Sequence, residues 1–361
     1  MRGPAPGVVR PGDLDQPAER AECGFCSIGG GRIWIIRERA WRRTRGVIQN
    51  RTVLIAGSSG LIGASLTDAL RQRGVEVRRL VRRQARYADE FEWDPYSGRV
   101  DSYAMTDVDV VVNLSGANIG EKRWTENRKQ VLYDSRITTT RYLAETMAQM
   151  SDPPSTFVSQ SAIGIYGDRG DEVLTERSDL GPANDFLASL TVDWEAAAQP
   201  ARDAGVRVVN NRTGLVLARG APLLDRLVPI FRLGIGGPIG SGNQWWSWVD
   251  LSDVVGSMLH LIESDHAGPF NVSAPQPVRQ SEFAGTLASV LSRPSATPVP
   301  SFALKLALGS EKAEGIGLSS TRALPERLLS TGYEFTETNL ERSLRRAAGS
   351  HHGVDEPVAT S

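Results

Sequence analysis

A glycine-rich turn between an apolar run and an amphipathic stretch constrains this fold most. The segment VLIAGSSGLIG, residues 53–63, spaces Gly57, Gly60 and Gly63 three residues apart. Between a strand and a helix, the first glycine permits the tight turn, the second lets backbone approach a pyrophosphate, and the third allows close helix–sheet packing. The pattern predicts a dinucleotide cradle at the helix N-terminus, with a glycine-rich turn without ligand as the alternative. The predicted cradle consists of Gly57, Ser58, Ser59, Gly60, Leu61, Ile62 and Gly63.

From residue 51 onward, short β-branched runs alternate with helical patterns, which is typical of a parallel sheet covered on both faces. We therefore expect an α/β fold, a Rossmann doubly wound parallel sheet with a smaller C-terminal α/β substrate domain. The predicted strands are 51–56, 75–81, 109–114, 156–159 and 206–210. The predicted helices are 61–73, 125–150, 186–198, 280–291 and 339–347.

The chain divides into four predicted parts. Residues 1–50, Pro/Gly-rich and then Arg-rich, are expected to be a disordered or misannotated extension, with the native start near Val47. Residues 51–220 are the predicted NADP-binding Rossmann domain. Residues 221–347 form the predicted substrate-side domain, partly interleaved with the sheet, and 348–361 a flexible tail.

Charge and composition exclude several kinds of partner. The 361 residues carry 41 basic and 42 acidic side chains, a net charge of −1, so no overall field attracts nucleic acid or an anionic membrane. No apolar stretch approaches the roughly 20 residues that span a bilayer, and a cytoplasmic location is the default expectation. Cys23 and Cys26 form a lone C-G-F-C pair and the four histidines are scattered, so no metal site is predicted.

The end of the second predicted strand indicates which dinucleotide is bound. NAD-selective sites place an acidic residue there, whereas an arginine accommodates the 2′-phosphate of NADP. The chain has Val81-Arg82-Arg83 at this place and no Asp or Glu. We therefore predict NADP(H) as the cofactor and Arg82 as its phosphate ligand. A solvated surface pair of arginines is the alternative.

Many stretches resemble the extended short-chain dehydrogenases/reductases, and more closely the atypical YfcH-like branch of the NAD-dependent epimerase/dehydratase-like family. They include AGSSGLIG at 56–63, VVNLSGANI at 111–119, SAIGIYGD at 161–168, NRTGLVL at 211–217 and GPFNVSAP at 268–275. The resemblance implies that Leu114, Ser115 and Gly116 line the cofactor, with Ser159 and Ser161 beside the nicotinamide. It places Arg212, Thr213 and Gly214 on the cofactor's other side, closes 236–253 over a substrate, and makes a homodimer possible.

The family's proton relay, a Tyr-x-x-x-Lys pair, is missing from this chain. No tyrosine has a lysine four residues later, and Leu187 and Thr191 stand where the pair is expected. Any chemistry needs another acid, for which Ser161 and Tyr166 are the candidates. Lys122 and Arg123 are expected to approach from a neighbouring loop. Tyr166 as a hydrogen-bonded pocket wall is the alternative.

Two functions stay open. One is an NADP(H)-dependent oxidoreductase or epimerase-like enzyme acting on a small sugar-like or carbonyl substrate. The other is a noncatalytic NADP(H)-binding regulator or redox sensor, with cell division as one process it would serve. Trp245, Trp246 and Trp248 either pack in a core or form a flat surface for a ring-shaped ligand.

Overall fold

The glycine-rich turn joins the central strand of a large sheet to its first helix in a computed structural model that describes residues 51–295 and 298–348. The predictions for residues 1–50, including Cys23 and Cys26, and for the tail from residue 349 onward lie outside the described residues. Within the described ranges, no helix is both long enough and apolar enough to cross a membrane.

The central sheet has eight strands in the order β12-β8-β6-β5-β1-β2-β3-β4. All its pairs are parallel except β3–β4, and three two-stranded sheets, β10–β13, β9–β11 and β7–β14, lie outside it. The strands are β1 (Thr52–Ala56), β2 (Glu76–Val81), β3 (Glu90–Asp94), β4 (Arg99–Val100), β5 (Val110–Asn113), β6 (Thr156–Ala162), β7 (Val173–Leu174), β8 (Arg207–Thr213), β9 (Leu215–Leu217), β10 (Trp245–Trp246), β11 (Trp248–Asp250), β12 (Gly268–Val272), β13 (Val278–Arg279) and β14 (Arg322–Ala323).

Helices cover both faces of this sheet. They are α1 (Leu61–Gln72), α2 (Glu126–Ala148), α3 (Phe186–Ala196), α4 (Gln199–Asp203), α5 (Pro222–Arg232), α6 (Leu251–Glu263), α7 (Gln280–Val290), α8 (Ser301–Leu308), α9 (Ser310–Lys312), α10 (Glu326–Ser330) and α11 (Leu340–Ala348). A 3-10 turn, Ile163–Tyr166, follows β6, and a π-helix, Ala313–Leu318, follows α9.

The alternation of side chains along β1 explains the two layers. Val53 and Ile55 pack on one face with Leu66 of α1 and Met258 of α6. Leu54 points to the other face, where it joins Leu143 and Met147 of α2 and Phe157 of β6 in a separate cluster. Both layers are fully buried, so the predicted doubly wound α/β fold is confirmed.

The strand order reverses at β1, which has β2 on one side and β5 on the other. Crevices at such a switch point, outside the carboxyl ends of the strands, are where open α/β sheets bind ligands. β12 lies at the far edge of this sheet, so residues beyond 221 also contribute to it. β3 is not among the predicted strands, although apolar and polar residues alternate in its sequence EFEWD as they do in a strand.

Two of the three glycines occupy places that no side chain can fill. Gly57 has φ +83°, and a Cβ there would lie 2.7 Å from the Leu114 carbonyl group. A Cβ on Gly63 would lie 2.2 Å from the Gly57 oxygen, whereas one on Gly60 would lie 3.4 Å from the same oxygen. Packing therefore excludes a side chain at Gly57 and Gly63, whereas a Cβ on the exposed Gly60 would make only an ordinary van der Waals contact.

We expect Gly63→Ala to lower the free energy of unfolding by about 2–3 kcal/mol, because the added methyl group would overlap the Gly57 backbone. The matched variant Gly60→Ala should cost less than about 1 kcal/mol, because Gly60 is the N-cap of α1 and alanine is only somewhat less favourable than glycine there. Urea denaturation of both variants measures the difference. Equal losses would contradict the packing role of Gly63.

Candidate functional site

A cavity of about 1190 Å³ opens at the carboxyl ends of β1, β2 and β5. It contains eight of the predicted cofactor ligands, namely Gly57, Ser58, Ser59, Gly60, Arg82, Leu114, Ser115 and Gly116. Its outer walls are the β3–β4 hairpin and the side of α2 that carries Ser135 and Thr139. The predicted residues Leu61, Ile62 and Gly63 form the first turn of α1 behind the glycine-rich loop. The remaining predicted ligands do not line this cavity; they are Ser159, Arg212, Thr213 and Gly214.

The two arginines at the end of β2 have different surroundings. Arg83 donates to both carboxylate oxygens of Glu90, at 2.8 and 2.6 Å. Arg82 is exposed at the cavity and makes no hydrogen bond or ion pair with any described residue. The guanidinium of Arg82 is thus free for an anionic ligand, whereas that of Arg83 is held by the protein.

Glu90 was not foreseen from the sequence, since it lies on the neighbouring strand, seven residues from its partner. Its side chain is fully buried. The hydrogen bond from Arg83 lowers the pKa of Glu90 to about 2, although desolvation acts in the opposite direction. The ion pair therefore keeps Arg83 in place at neutral pH.

The end of β6 contacts an ion pair between α3 and β8. Ser161 donates to Glu195 of α3 at 2.6 Å, between Oγ and Oε1. Arg212 of β8 grips the same carboxylate with two bonds, Nε–Oε1 at 2.8 Å and Nη2–Oε2 at 2.9 Å. Since Ser161 and Arg212 are 1% and 4% exposed, this is an interior, bidentate pair.

Tyr166 extends the same network. Its hydroxyl accepts from Arg212 Nη1 at 3.0 Å and donates to Asn271 Oδ1 at 2.8 Å. The ring is fully buried, and this burial raises the pKa of Tyr166, although Arg212 and Asn271 act against the rise. These contacts favour the alternative of a hydrogen-bonded wall, and the catalytic role of Tyr166 stays a prediction.

The positions expected for the missing tyrosine and lysine lie on α3. Leu187 is half-buried, and a Cβ on Gly315 of the π-helix would be 3.1 Å from its Cδ1. Thr191 is buried and donates to the Leu187 carbonyl group at 2.7 Å. Leu187 is apolar and Thr191 is occupied by helix backbone, so neither supplies a proton.

The other predicted ligands near β6 and β8 serve mainly the sheet. Thr213 accepts a bond from Gln160 at 2.7 Å, and a Cβ on Gly214 would lie 2.5 Å from the Ser247 oxygen. Ser159 is 1% exposed, and its hydroxyl has no partner among the described residues. Ser159 thus has hydrogen-bonding capacity that these residues leave unused.

The three tryptophans, predicted either to pack in a core or to form a flat surface for a ring-shaped ligand, differ in their surroundings. Trp246 and Trp248 are 4% and 1% exposed, as expected for core packing. Trp245 is half-buried, and the guanidinium groups of Arg279 and Arg322 lie 4.0 and 4.3 Å from its ring centroid. Its ring is therefore engaged by cations of the protein itself.

We expect Glu90→Gln to lower the melting temperature at pH 7, because it removes the anion that holds Arg83. Glu90 has a folded pKa of about 2, below its ordinary value of 4.5, so its contribution is full above 4.5 and is lost as pH falls toward 2. Calorimetry should thus show a gap between wild type and variant at pH 7 that narrows below pH 4.5. Glu145→Gln on exposed α2 surface is the control. A gap independent of pH would exclude the ion pair as its source.

Two family models match the chain. The model described as "NAD dependent epimerase/dehydratase family" matches residues 53–273, which contain the glycine-rich loop and the Ser161–Glu195–Arg212 network. A model described as "Domain of unknown function (DUF1731)" matches residues 299–347.

Relatives and solved structures agree with the first model. An epimerase family protein of Mycobacterium leprae is 43% identical over 296 residues, covering 82% of this chain and 95% of that protein. The crystal structure of human epimerase family protein SDR39U1 with NADPH has a TM-score of 0.75 and 33% identity, covering 82% of this chain and 99% of that one. The crystal structure of a nucleoside-diphosphate sugar epimerase from Corynebacterium glutamicum has a TM-score of 0.69 and 32% identity, covering 88% of this chain and 62% of that one. This chain belongs to the NAD dependent epimerase/dehydratase family.

Proposed function

We propose that the protein binds NADP(H) in the cavity at the end of β1 and acts as an oxidoreductase or epimerase-like enzyme on a small substrate. The observation that carries this proposal is the unpaired Arg82, which lines the same cavity as the exposed backbone of Gly60. A free guanidinium suits a 2′-phosphate, and the similarity to a human relative solved with NADPH supports the same cofactor.

The residues present fit such a cofactor. The turn at Gly57 and the start of α1 would receive the pyrophosphate, because a backbone without side chains and a helix N-terminus meet there. Arg82 would hold the 2′-phosphate, and the loop from Leu114 to Gly116 would lie along the ribose side. The hydroxyl of Ser159 has no partner among the described residues but is buried in the middle of β6, and its place beside the nicotinamide stays a prediction.

When bound, a nicotinamide cofactor supplies hydride transfer, so the chain's own task is to orient the substrate and polarise its oxygen. Ser161 and Tyr166 are the groups proposed for polarisation, and both hydroxyls already bond to protein partners. Arg123 is also engaged, since it donates to the Ala307 carbonyl group at 3.2 Å, whereas Lys122 is exposed. The side chains of Ser161, Tyr166 and Arg123 are thus all hydrogen-bonded within the protein.

A noncatalytic NADP(H)-binding regulator is the second candidate. The network of buried Ser161, Arg212 and Tyr166 with partly buried Glu195 favours it, because a network that satisfies its own members leaves few free groups for a substrate. Such a protein would report cofactor supply to a partner through a shift between conformations. Both candidates share the cofactor, which is tested first.

We expect Arg82→Ala to weaken NADPH binding by roughly 10- to 100-fold, the loss of one charge-assisted phosphate interaction of about 1.5–3 kcal/mol. NADH affinity should change little, because NADH lacks the 2′-phosphate. Isothermal titration calorimetry with both nucleotides measures the ratio, and Arg177→Ala, an exposed arginine away from the cavity, is the control. Equal losses for NADPH and NADH would rule out the phosphate role of Arg82.

We expect Tyr166→Phe to lower the free energy of unfolding by about 1–3 kcal/mol, because Arg212 and Asn271 both lose a buried partner. NADPH affinity should be unchanged. The same variant and Ser161→Ala are then assayed for NADPH oxidation with sugars and small carbonyl compounds. If these hydroxyls polarise the substrate, turnover of the folded variants should fall by about 100-fold or more, whereas unchanged turnover would exclude that role.

A further inference from the structure

A segment near the end of the chain, residues 299–318, contacts the loop that follows β5. This segment, here called the C-terminal strap, contains α8, α9 and the π-helix and lies within the part matched by the model of unknown function. At its start, Val299 donates its amide to the Pro238 carbonyl group at 2.7 Å. At its end, the Gly317 carbonyl group accepts from Gln244 Nε2 at 2.9 Å. The part between these two anchors makes its own contacts with a different region of the protein.

The C-terminal strap is bonded to the loop between β5 and α2 from both sides. Lys312 Nζ donates to the carbonyl oxygens of Gly120 and Lys122, at 2.6 and 2.9 Å. Arg123 of the loop donates in the opposite direction, to the Ala307 carbonyl group of α8 at 3.2 Å. These bonds join residues 184 to 192 positions apart in the chain. The strap therefore ties the last part of the chain to the loop after β5.

Lys312 depends on the two carbonyl groups that it contacts. It is 3% exposed, and among the described residues it has no carboxylate partner. Burial lowers the pKa of Lys312, and the nearby charges of Arg226 and Arg128 add to this effect. Because a buried ammonium group without an acceptor is costly, a movement of the loop away from Lys312 is unfavourable. The lysine thus restricts the loop to the position in which both carbonyl groups face it.

A second contact places the C-terminal strap beside α3. A Cβ on Gly315 of the π-helix would lie 3.1 Å from Leu187 Cδ1 and 3.3 Å from the Trp124 ring. Trp124 belongs to the same loop, and its Nε1 donates to the Ile119 carbonyl group at 2.9 Å. Leu187 stands where the family's tyrosine is expected. The strap and the loop therefore meet beside the place at which the resemblance puts the chemistry.

The loop between β5 and α2 also contributes to the cofactor cavity. Its first residues, from Leu114 to Ala117, line the cavity together with Arg82 at the end of β2. A dinucleotide lies across a switch point of this kind, with one half on each side. With the adenosine half held by Arg82, as proposed above, the nicotinamide half would lie toward β5 and β6. This is the side on which the loop begins.

We propose that Lys312 is a positioning residue for the nicotinamide half of the cofactor, acting through the loop between β5 and α2. It orders the loop before the cofactor binds, so less ordering is needed on binding. The part of the chain matched by the model of unknown function thereby contributes to the cofactor site. This inference rests on the proposed function, since it requires that the cavity binds NADP(H).

Lys312→Met tests this role, because methionine keeps most of the side-chain length and removes the donor group. The full chain is titrated by calorimetry with NADPH and with adenosine 2′,5′-bisphosphate, which carries only the adenosine half and its 2′-phosphate. We expect the variant to bind NADPH about tenfold more weakly, because the loop is then ordered only on binding. Affinity for adenosine 2′,5′-bisphosphate should be unchanged. Without ligand, hydrogen exchange measured by mass spectrometry should be faster in residues 118–124 of the variant.

Lys305→Met is the matched control. Lys305 lies on the same strap and pairs with Glu314, also of the strap, at 2.6 Å. Its replacement removes a lysine and an ion pair from the strap without removing a bond to the loop. Both affinities and the exchange of residues 118–124 should therefore equal those of the wild type.

Unchanged NADPH affinity in folded Lys312→Met protein would overturn the inference. An equal loss of affinity for both ligands would also overturn it, because general damage to the fold does not distinguish the two halves. If Lys312→Met does not fold, Arg123→Gln takes its place, since Arg123 is exposed and also joins the loop to the strap. The same pattern is expected of Arg123→Gln, and unchanged NADPH affinity would again contradict the inference. Failure of the wild type to bind either ligand would instead refute the proposed function.

Discussion

The contact between the Gly57 backbone and the Leu114 carbonyl group sets the geometry on which the cavity depends. It brings the turn after β1 against the end of β5 at the point where the strand order reverses. Gly63 then packs against Gly57, so α1 begins where its free amides face the opening. Backbone packing thus determines the width of the cavity, and the side chains that line it can vary without moving β1, β5 or α1.

Within this frame, charge is distributed unevenly. At the β2 edge, Glu90 neutralises Arg83 and leaves Arg82 free. At the β6 edge, the carboxylate of Glu195 is shared by Ser161 and Arg212 and faces the interior. The β2 edge therefore offers an unpaired cation at the cavity, whereas the charges of Glu195 and Arg212 near the end of β6 are paired with each other.

The local sequence pattern was sufficient to predict the glycine-rich turn with its flanking strand and helix, but not the side-chain contacts between distant segments. The glycine spacing, the bounds of α1 within one or two residues, and the arginine pair after β2 follow from short-range signals. The partner of Arg212 lies 17 residues away, and Lys312 lies 190 residues from the Lys122 carbonyl group. Such contacts depend on how distant segments meet in the folded chain, for which a single sequence carries no periodicity. Burial of Tyr166 was likewise beyond prediction, because Asn271 lies 105 residues later.

The bond from Tyr166 to Asn271 has a consequence for synthesis of the chain. β6, with Ser161, leaves the ribosome more than 100 residues before β12, so the hydroxyl of Tyr166 waits for its acceptor while most of the sheet can already form. Lys312, which donates to the Gly120 and Lys122 carbonyl groups in the loop between β5 and α2, is synthesised after β12. All strands of the central sheet are therefore synthesised before the lysine that holds this loop, so the loop gains this contact only after the sheet is complete.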